Sequence, residues 1–463
     1  MNFLRRFFRP ANSSMDNNQT DFIKTIYFWP RHKSHPKIWI RPAVYILLAG
    51  ILSQVIPLVN SPKLIHTNIF TTDNASTILS TISGGMISFT GIVLSLAFLF
   101  LQFSSSAYSP RLASSFFKEP SFQNAVGIFI GTFVFSILTL YSFDFKRHAA
   151  FMDFSMITAF IWLIASMIAF LKLIQLISQL QITSTLQDIG NKARRMIPEI
   201  YPKEYHSVRD ADSQKHQIKL PPVDQIVYYR GGPCSILSID YDMLAKLAAS
   251  SGGMIEMDYG VGDTIPDQAQ LLRLRGAVSP LNVGSLSSII KFGAERTIEQ
   301  DPRYAIRLIV DIAIHALSPA INDPTTAVQA LDQIDDILRR IGTRELNLDY
   351  IEDESNTIRV ILPSVSWDDY LSLSIDEIRC YGSESVQITR RLKALLEDLE
   401  ISVPEDRRPA VKNNLDRLKE TVENLNFSAD DKREALQSDR QGIGMTRNST
   451  IKSQHNEIEK FSD

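Results

Sequence analysis

Hydrophobic residues are concentrated in the first third of this chain, in runs rather than in alternation. Four uncharged stretches, residues 43–59, 82–102, 125–143 and 154–171, stand out there. A helix needs roughly 17–25 residues to cross about 30 Å of hydrocarbon, so each stretch predicts a transmembrane helix. The first is the weakest, being short and carrying Gln54 and Pro57. Trp39, Tyr45, Tyr108, Tyr141 and Trp162 put aromatic side chains near the predicted interfaces, where such residues anchor a span. Four buried helices of a soluble core are the competing reading, and four such runs crowded into one region argue against it.

Basic residues set the orientation, because cytoplasmic loops collect lysine and arginine. Arg5, Arg6, Arg9, Lys24, Arg31, Lys33, Lys37 and Arg41 precede the first span. The predicted outer loops offer Lys63, Lys146 and Arg147, the inner loop Arg111 and Lys118, and the exit Lys172, Lys192, Arg194 and Arg195. The N-terminus is therefore expected inside, and four crossings return the C-terminal part to the same side.

Within the second span Gly84, Ser88, Gly91, Ser95, Gln102 and Ser106 recur at steps of four, three, four, seven and four. That spacing draws one small or polar stripe along a helix. Small residues let helices approach closely in lipid, which is the simpler reading; around an oligomer the same stripe would line a wet path. The third span holds a second close-approach pattern, Gly127 and Gly131. No acid, lysine, arginine or histidine sits centrally in a span, as a proton relay or charged-substrate transporter would require.

Beyond residue 192 charges interleave with apolar positions, and an α+β cytoplasmic region is expected. Its parts are a linker at 197–222, rich in proline, a small β-rich module at 223–280 and a mainly helical domain at 281–426. A basic segment, 1–37, precedes the membrane region at 38–196, and a polar, disordered tail is expected at 427–463. Strands are expected at 225–229, 254–258, 270–275 and 357–362. A short helix follows Asp240 and ends near Gly252. Asp301-Pro302 and Asp323-Pro324 each start a helix with a carboxylate cap and a first-turn proline, the second running to Gly342. Further helices are expected near 366–379 and 384–399.

The chain has 463 residues and a net charge of -3, so no basic face marks nucleic acid as a partner. Two cysteines, Cys234 and Cys380, provide neither a disulfide framework nor a structural metal set. The run from Val261 to Leu271 resembles the Gly-Asp turn of biotinyl- and lipoyl-like barrels. Gln268 stands where those domains have glycine and there is no attachment lysine, so the run is read as structural and no cofactor is expected.

Three runs carry a closer resemblance: Gln102 through Arg111, Phe292-Gly293-Ala294-Glu295-Arg296-Thr297, and Leu317-Ser318-Pro319-Ala320-Ile321-Asn322-Asp323-Pro324-Thr325-Thr326-Ala327. In these the chain resembles an uncharacterised bacterial family of predicted membrane proteins, domain of unknown function 2254, over roughly residues 38–408. The resemblance implies a four-span inner-membrane protein with a conserved cytoplasmic domain, and it brings no activity.

The last two runs lie in a polar constellation of Glu295, Arg296, Glu299, Asp301, Asp311, His315, Asn322 and Asp323. Carboxylates with a histidine and an asparagine could hold a divalent metal or run acid–base chemistry. Equally, Asp301 and Asp323 serve as caps, and Arg307, Asp311 and His315 are ordinary pairs four apart. A site here would use Glu295, Arg296, Asp311, His315 and Asn322. No His-x-x-x-His motif, glycine-rich phosphate loop or nucleophile elbow is present. Two functions remain open. One is a non-enzymatic, homo-oligomeric membrane protein whose cytoplasmic domain gates, senses or scaffolds, with a channel- or transport-like role. The other is a membrane-tethered enzyme or a ligand or metal sensor.

Overall fold

A computed structural model describes residues 24–28, 39–56, 70–107, 119–143, 149–178, 181–205, 220–346 and 349–444. The opening basic residues, most of the expected linker and the end of the tail lie outside these. The apolar runs form helices α1 (Ile40–Val55), α2 (Thr72–Ala107), α3 (Pro120–Phe143) and α4 (Ala149–Ser178). Three stretches, Asp73–Phe100, Pro120–Ser142 and Asp153–Ser178, are long and apolar enough to cross a membrane. On length, then, the expectation of four spans is met by three. With 16 residues, α1 rises only about 24 Å, and Pro57, next but one in sequence, cannot donate a further helical hydrogen bond.

Helix α3 is central, packing on α1, α2 and α4. Phe89 of α2 meets Phe129 of α3 and Phe170 of α4 edge-on, at centroid distances of 5.4 and 5.0 Å. The outer face of α4 exposes Ile157, Ile161, Ile164, Met167, Ile168 and Leu171, an apolar surface suited to lipid rather than water. Helix α5 (Ile182–Ile200) is instead two-faced, burying Leu186, Ile189, Ala193, Met196 and Ile197.

Downstream, the strands do not make a module confined to 223–280. A six-stranded sheet has the order β1-β2-β6-β4-β9-β8. Its members are β1 (Lys24–Phe28), β2 (Val223–Tyr229), β4 (Met254–Met257), β6 (Gln270–Arg275), β8 (Tyr350–Glu352) and β9 (Ile358–Ile361). A smaller sheet orders β5 (Thr264–Ile265), β3 (Cys234–Ile239) and β7 (Ile290–Gly293). Helices α6 (Tyr241–Ser250) and α7 (Leu286–Ile289) complete this unit. Val227, Ile236, Leu244, Ile255, Leu272 and Val360 belong to its core. Contacts thus gather residues 1–31, 216–295 and 348–363 into one unit, moving the expected boundary from 280 to 295. The reason is pairing: β1 runs parallel to β2, and β9 parallel to β4. Gln268 takes a left-handed φ of 64°, the conformation that makes glycine usual at that place.

The second unit holds the membrane helices and the other helices. They are α8 (Pro302–Ala316), α9 (Pro324–Gly342), α10 (Trp367–Tyr381), α11 (Val386–Ser402), α12 (Arg408–Glu423) and α13 (Ala429–Ala435). Helix α5 packs on α8 and α9, with Arg194 donating to Gln333 and Asp336 at 3.1 and 3.0 Å. Arg407 is buried with no carboxylate partner among the described residues; it donates to the Ile341 and Arg344 carbonyls at 3.0 and 2.8 Å and lies over the Tyr205 ring. The expected disordered tail needs correcting up to residue 444, the last one described. Ser428 caps α13, and Asp439, 2% exposed, accepts the N–H groups of Gln441, Gly442 and Gly444. Polar composition hid this because the segment is held by hydrogen bonds; buried Arg390 also donates to Glu434 and to the Gly444 carbonyl.

Candidate functional site

Two features of the helical unit stand out as candidates, one in the membrane helices and one among the helices that follow. On α2, Ile82, Ser83, Met86, Thr90, Val93 and Ala97 turn inward. The opposite side carries the predicted stripe: Gly84, Ser88, Gly91, Ser95 and Gln102 are all exposed. The side chain of Ser106 lies outside the described residues. The glycines of the two patterns behave differently. A Cβ built on Gly84, Gly85 or Gly91 meets no atom of the described residues within 4 Å, whereas on Gly127 it would lie 2.6 Å from Tyr45 Cδ2 and 3.0 Å from Pro42 Cα. On Gly131 it would lie 2.8 Å from the Trp162 ring. So the α3 pattern is spent on packing within the chain and the α2 stripe is not. Ser88 and Ser95 donate back to the Gly84 and Gly91 carbonyls, at 3.0 and 2.8 Å.

The predicted polar constellation is distributed between the two units. Glu295 ends the sheet unit and Arg296 begins the helical one, and both are exposed. Asp311 and His315 are half-buried on α8. Asp311 pairs with Arg307 Nε at 2.7 Å, and Arg307 forks onto Glu377 of α10, with Nη2 to Oε2 at 3.0 Å. That Glu377 hydrogen bond is the main cause that raises the Arg307 pKa. Asn322 is exposed in a left-handed turn, φ 48°, which asparagine tolerates better than most residues. Asp323 caps α9, accepting from Thr326 N at 3.1 Å and from its hydroxyl at 2.6 Å. Among the described residues no group of three or more His, Cys, Asp or Glu side chains is placed to hold a metal.

One member of the constellation has surroundings that the sequence did not disclose. Asp301 is 2% exposed. Its Oδ1 accepts from Tyr304 N at 3.2 Å, capping α8, and faces Arg303 Nε at 3.5 Å. Oδ2 is buried with no hydrogen-bond partner among the described residues. Burial therefore pushes the carboxyl pKa up, against the pull of Arg303, the Tyr304 amide and Arg296. Nearby, the hydroxyls of Tyr201, at the end of α5, and Tyr370, in the first turn of α10, share a buried hydrogen bond of 2.9 Å. Burial raises both phenols, and both feel the charges of Arg303 and Asp301. The junction thus joins the helix that leaves the membrane region to the starts of α8 and α10. A buried carboxyl with a spare oxygen near two neutral phenols can hold or pass a proton. Asp301 and its capping role could be read from Asp-Pro, but nothing local signals Tyr201 or Tyr370.

The family profile for predicted membrane proteins of DUF2254 matches residues 35–398. The chain belongs to this family. An uncharacterized protein of Mycobacterium tuberculosis (strain ATCC 25618 / H37Rv) is 30% identical over 395 residues, covering 82% of this chain and 74% of its own. An uncharacterized protein of Mycobacterium bovis is similar to the same extent. No solved structure matches. The α2 stripe and the Asp301 junction both lie inside the DUF2254 match, whereas β1, α12 and α13 lie outside it.

Proposed function

We propose that the chain is a non-enzymatic inner-membrane protein that crosses the bilayer four times, with both ends cytoplasmic, and assembles with copies of itself through α2. The carrying observation is the stripe of Gly84, Ser88, Gly91 and Ser95, exposed and unused by the chain's own helices. In lipid, small residues of this kind favour close helix approach. Because Ser88 and Ser95 already donate within α2, they suit a dry helix contact better than a wet path. The α+β region then gates, senses or scaffolds, through α5, which continues from the last span and packs on α8 and α9.

The crossing number is supported by the sheet. Strand β1 precedes every membrane helix and β2 follows them all, yet the two are hydrogen-bonded neighbours. Main-chain partners must share one side of a bilayer, so the crossings between them are even in number. Using every long apolar helix, the smallest even count is four, which makes α1 a crossing. Basic residues ahead of α1 favour the cytoplasm as that shared side.

Mass measurement of the full-length protein in lipid nanodiscs tests the assembly. Oligomers are expected from the native chain and monomers from Gly84→Leu/Gly91→Leu, with helical content by circular dichroism unchanged because within one chain an added Cβ at either position meets no described atom. A monomeric native protein rejects the reading. Solute and ion flux in proteoliposomes tests the channel- or transport-like version.

A further inference from the structure

Hydroxyl groups inside a bilayer helix ordinarily return their proton to the carbonyl four residues back, since lipid supplies no other acceptor. In α3 and α4, Thr132, Ser142, Thr158, Ser166 and Ser178 do so, at 2.8–3.0 Å. Ser136, Thr139 and Ser155 do not: each is at most 1% exposed and its oxygen has no hydrogen-bond partner among the described residues. These three fall on one seam. Thr132 Oγ1 and Ser166 Oγ meet at 2.8 Å and fix the antiparallel register of α3 against α4. At 100° per residue, Ser136 and Thr139 lie within about 40° of Thr132 around α3, and Ser155 within about 20° of Ser166 around α4. In that register Thr139 is level with Ala159, whose small side chain is buried, and Ser155 lies about 6 Å further along. One bridging water spans such a gap, two hydrogen bonds of about 2.8 Å in line.

We propose that the α3–α4 seam is a hydration site within the membrane region, where ordered water bonds Ser136, Thr139 and Ser155. Water fits better than a cation, because no carboxylate among the described residues shares the seam. Asp153 lies about 140° around α4 from Ser166, and its Oδ1 accepts from Phe70 N at 3.2 Å. A buried polar site that offers several partners is where internal water is retained.

The test uses the full-length protein in nanodiscs. Thr139→Val and Ser155→Ala should each lower the thermal midpoint by about 2–4 °C, the shift for roughly one hydrogen bond in a bundle of this size. Thr139→Ser, which keeps the hydroxyl, should stay near the native value, as should the exposed control Thr158→Val. The double variant Thr139→Val/Ser155→Ala should lose less than the two singles added, since both lose the same water. Variants as stable as the native protein would mean the hydroxyls turn back onto their own helix, and would overturn the proposal. So would strictly additive losses. A midpoint raised by sodium in the native protein and not in Thr139→Val would assign the seam to a cation instead.

Discussion

Changing Asp301 to asparagine separates its two jobs. Its Oδ1 caps α8 through the Tyr304 amide at 3.2 Å, a contact worth about 1 kcal/mol, and asparagine caps as well as aspartate. Its Oδ2 is a buried acceptor with no partner, which costs about 1–3 kcal/mol and more when charged. The opposing attraction is Arg303, a third exposed and 3.5 Å away, worth under about 1 kcal/mol at such exposure. Asp301→Asn should therefore stabilise the ionised-state protein by about 1 kcal/mol, or about 2–4 °C in thermal midpoint. The pH dependence carries the sign. The folded carboxyl pKa is raised by burial, so the folded state binds the proton more tightly than the unfolded chain. Native stability is then greatest below the usual carboxylate range and falls as pH rises through the raised folded value. The asparagine chain lacks that fall. Melting both proteins in nanodiscs from about pH 4 to about pH 8, followed by tryptophan fluorescence, should show the variant's advantage opening as pH rises. An advantage that narrows or reverses with rising pH would mean Arg303 outweighs burial, and would refute the reasoning. Asp301→Ala, which also loses the cap, should fall about 1 kcal/mol below the asparagine variant at every pH.

Three other substitutions probe the architecture. Gly127→Val should destabilise the membrane bundle by about 1–3 kcal/mol, because the added carbon meets Tyr45 and the Pro42 backbone; detergent-resistance melts read it. Phe28→Ala, removing a ring that packs 5.8 Å from Phe292, should cost the sheet unit about 3–5 kcal/mol, seen as faster amide exchange in β2. Arg407→Met leaves the Ile341 and Arg344 carbonyls without their donor. About 2–4 kcal/mol should be lost, as increased proteolysis around the end of α9; an unchanged digest would remove Arg407 from that role.

Local chemistry was the part of this fold that could be read from residues alone. Asp301-Pro302 and Asp323-Pro324 mark the starts of α8 and α9 because a cap and a first-turn proline act within four residues. Strand β6 could be bounded from its own apolar pattern. What depends on distant partners was not legible. Lys24–Phe28 reads as part of a basic leader until Val223–Tyr229 is placed beside it, and Tyr201 meets Tyr370 across 169 positions. Spacing alone drew the α2 stripe as a line but could not say which way it faces, since that follows from where α3 packs.

The place of β1 also constrains how the protein is made. About 195 residues separate Phe28 from Val223, so at roughly 5–20 residues per second the first strand waits some 10–40 s on the ribosome's timescale for its neighbour. A nascent chain that threads its leader through the bilayer reaches Val223 with an edge that β1 can no longer cover, and the translated product is left with an open sheet for proteases to recognise.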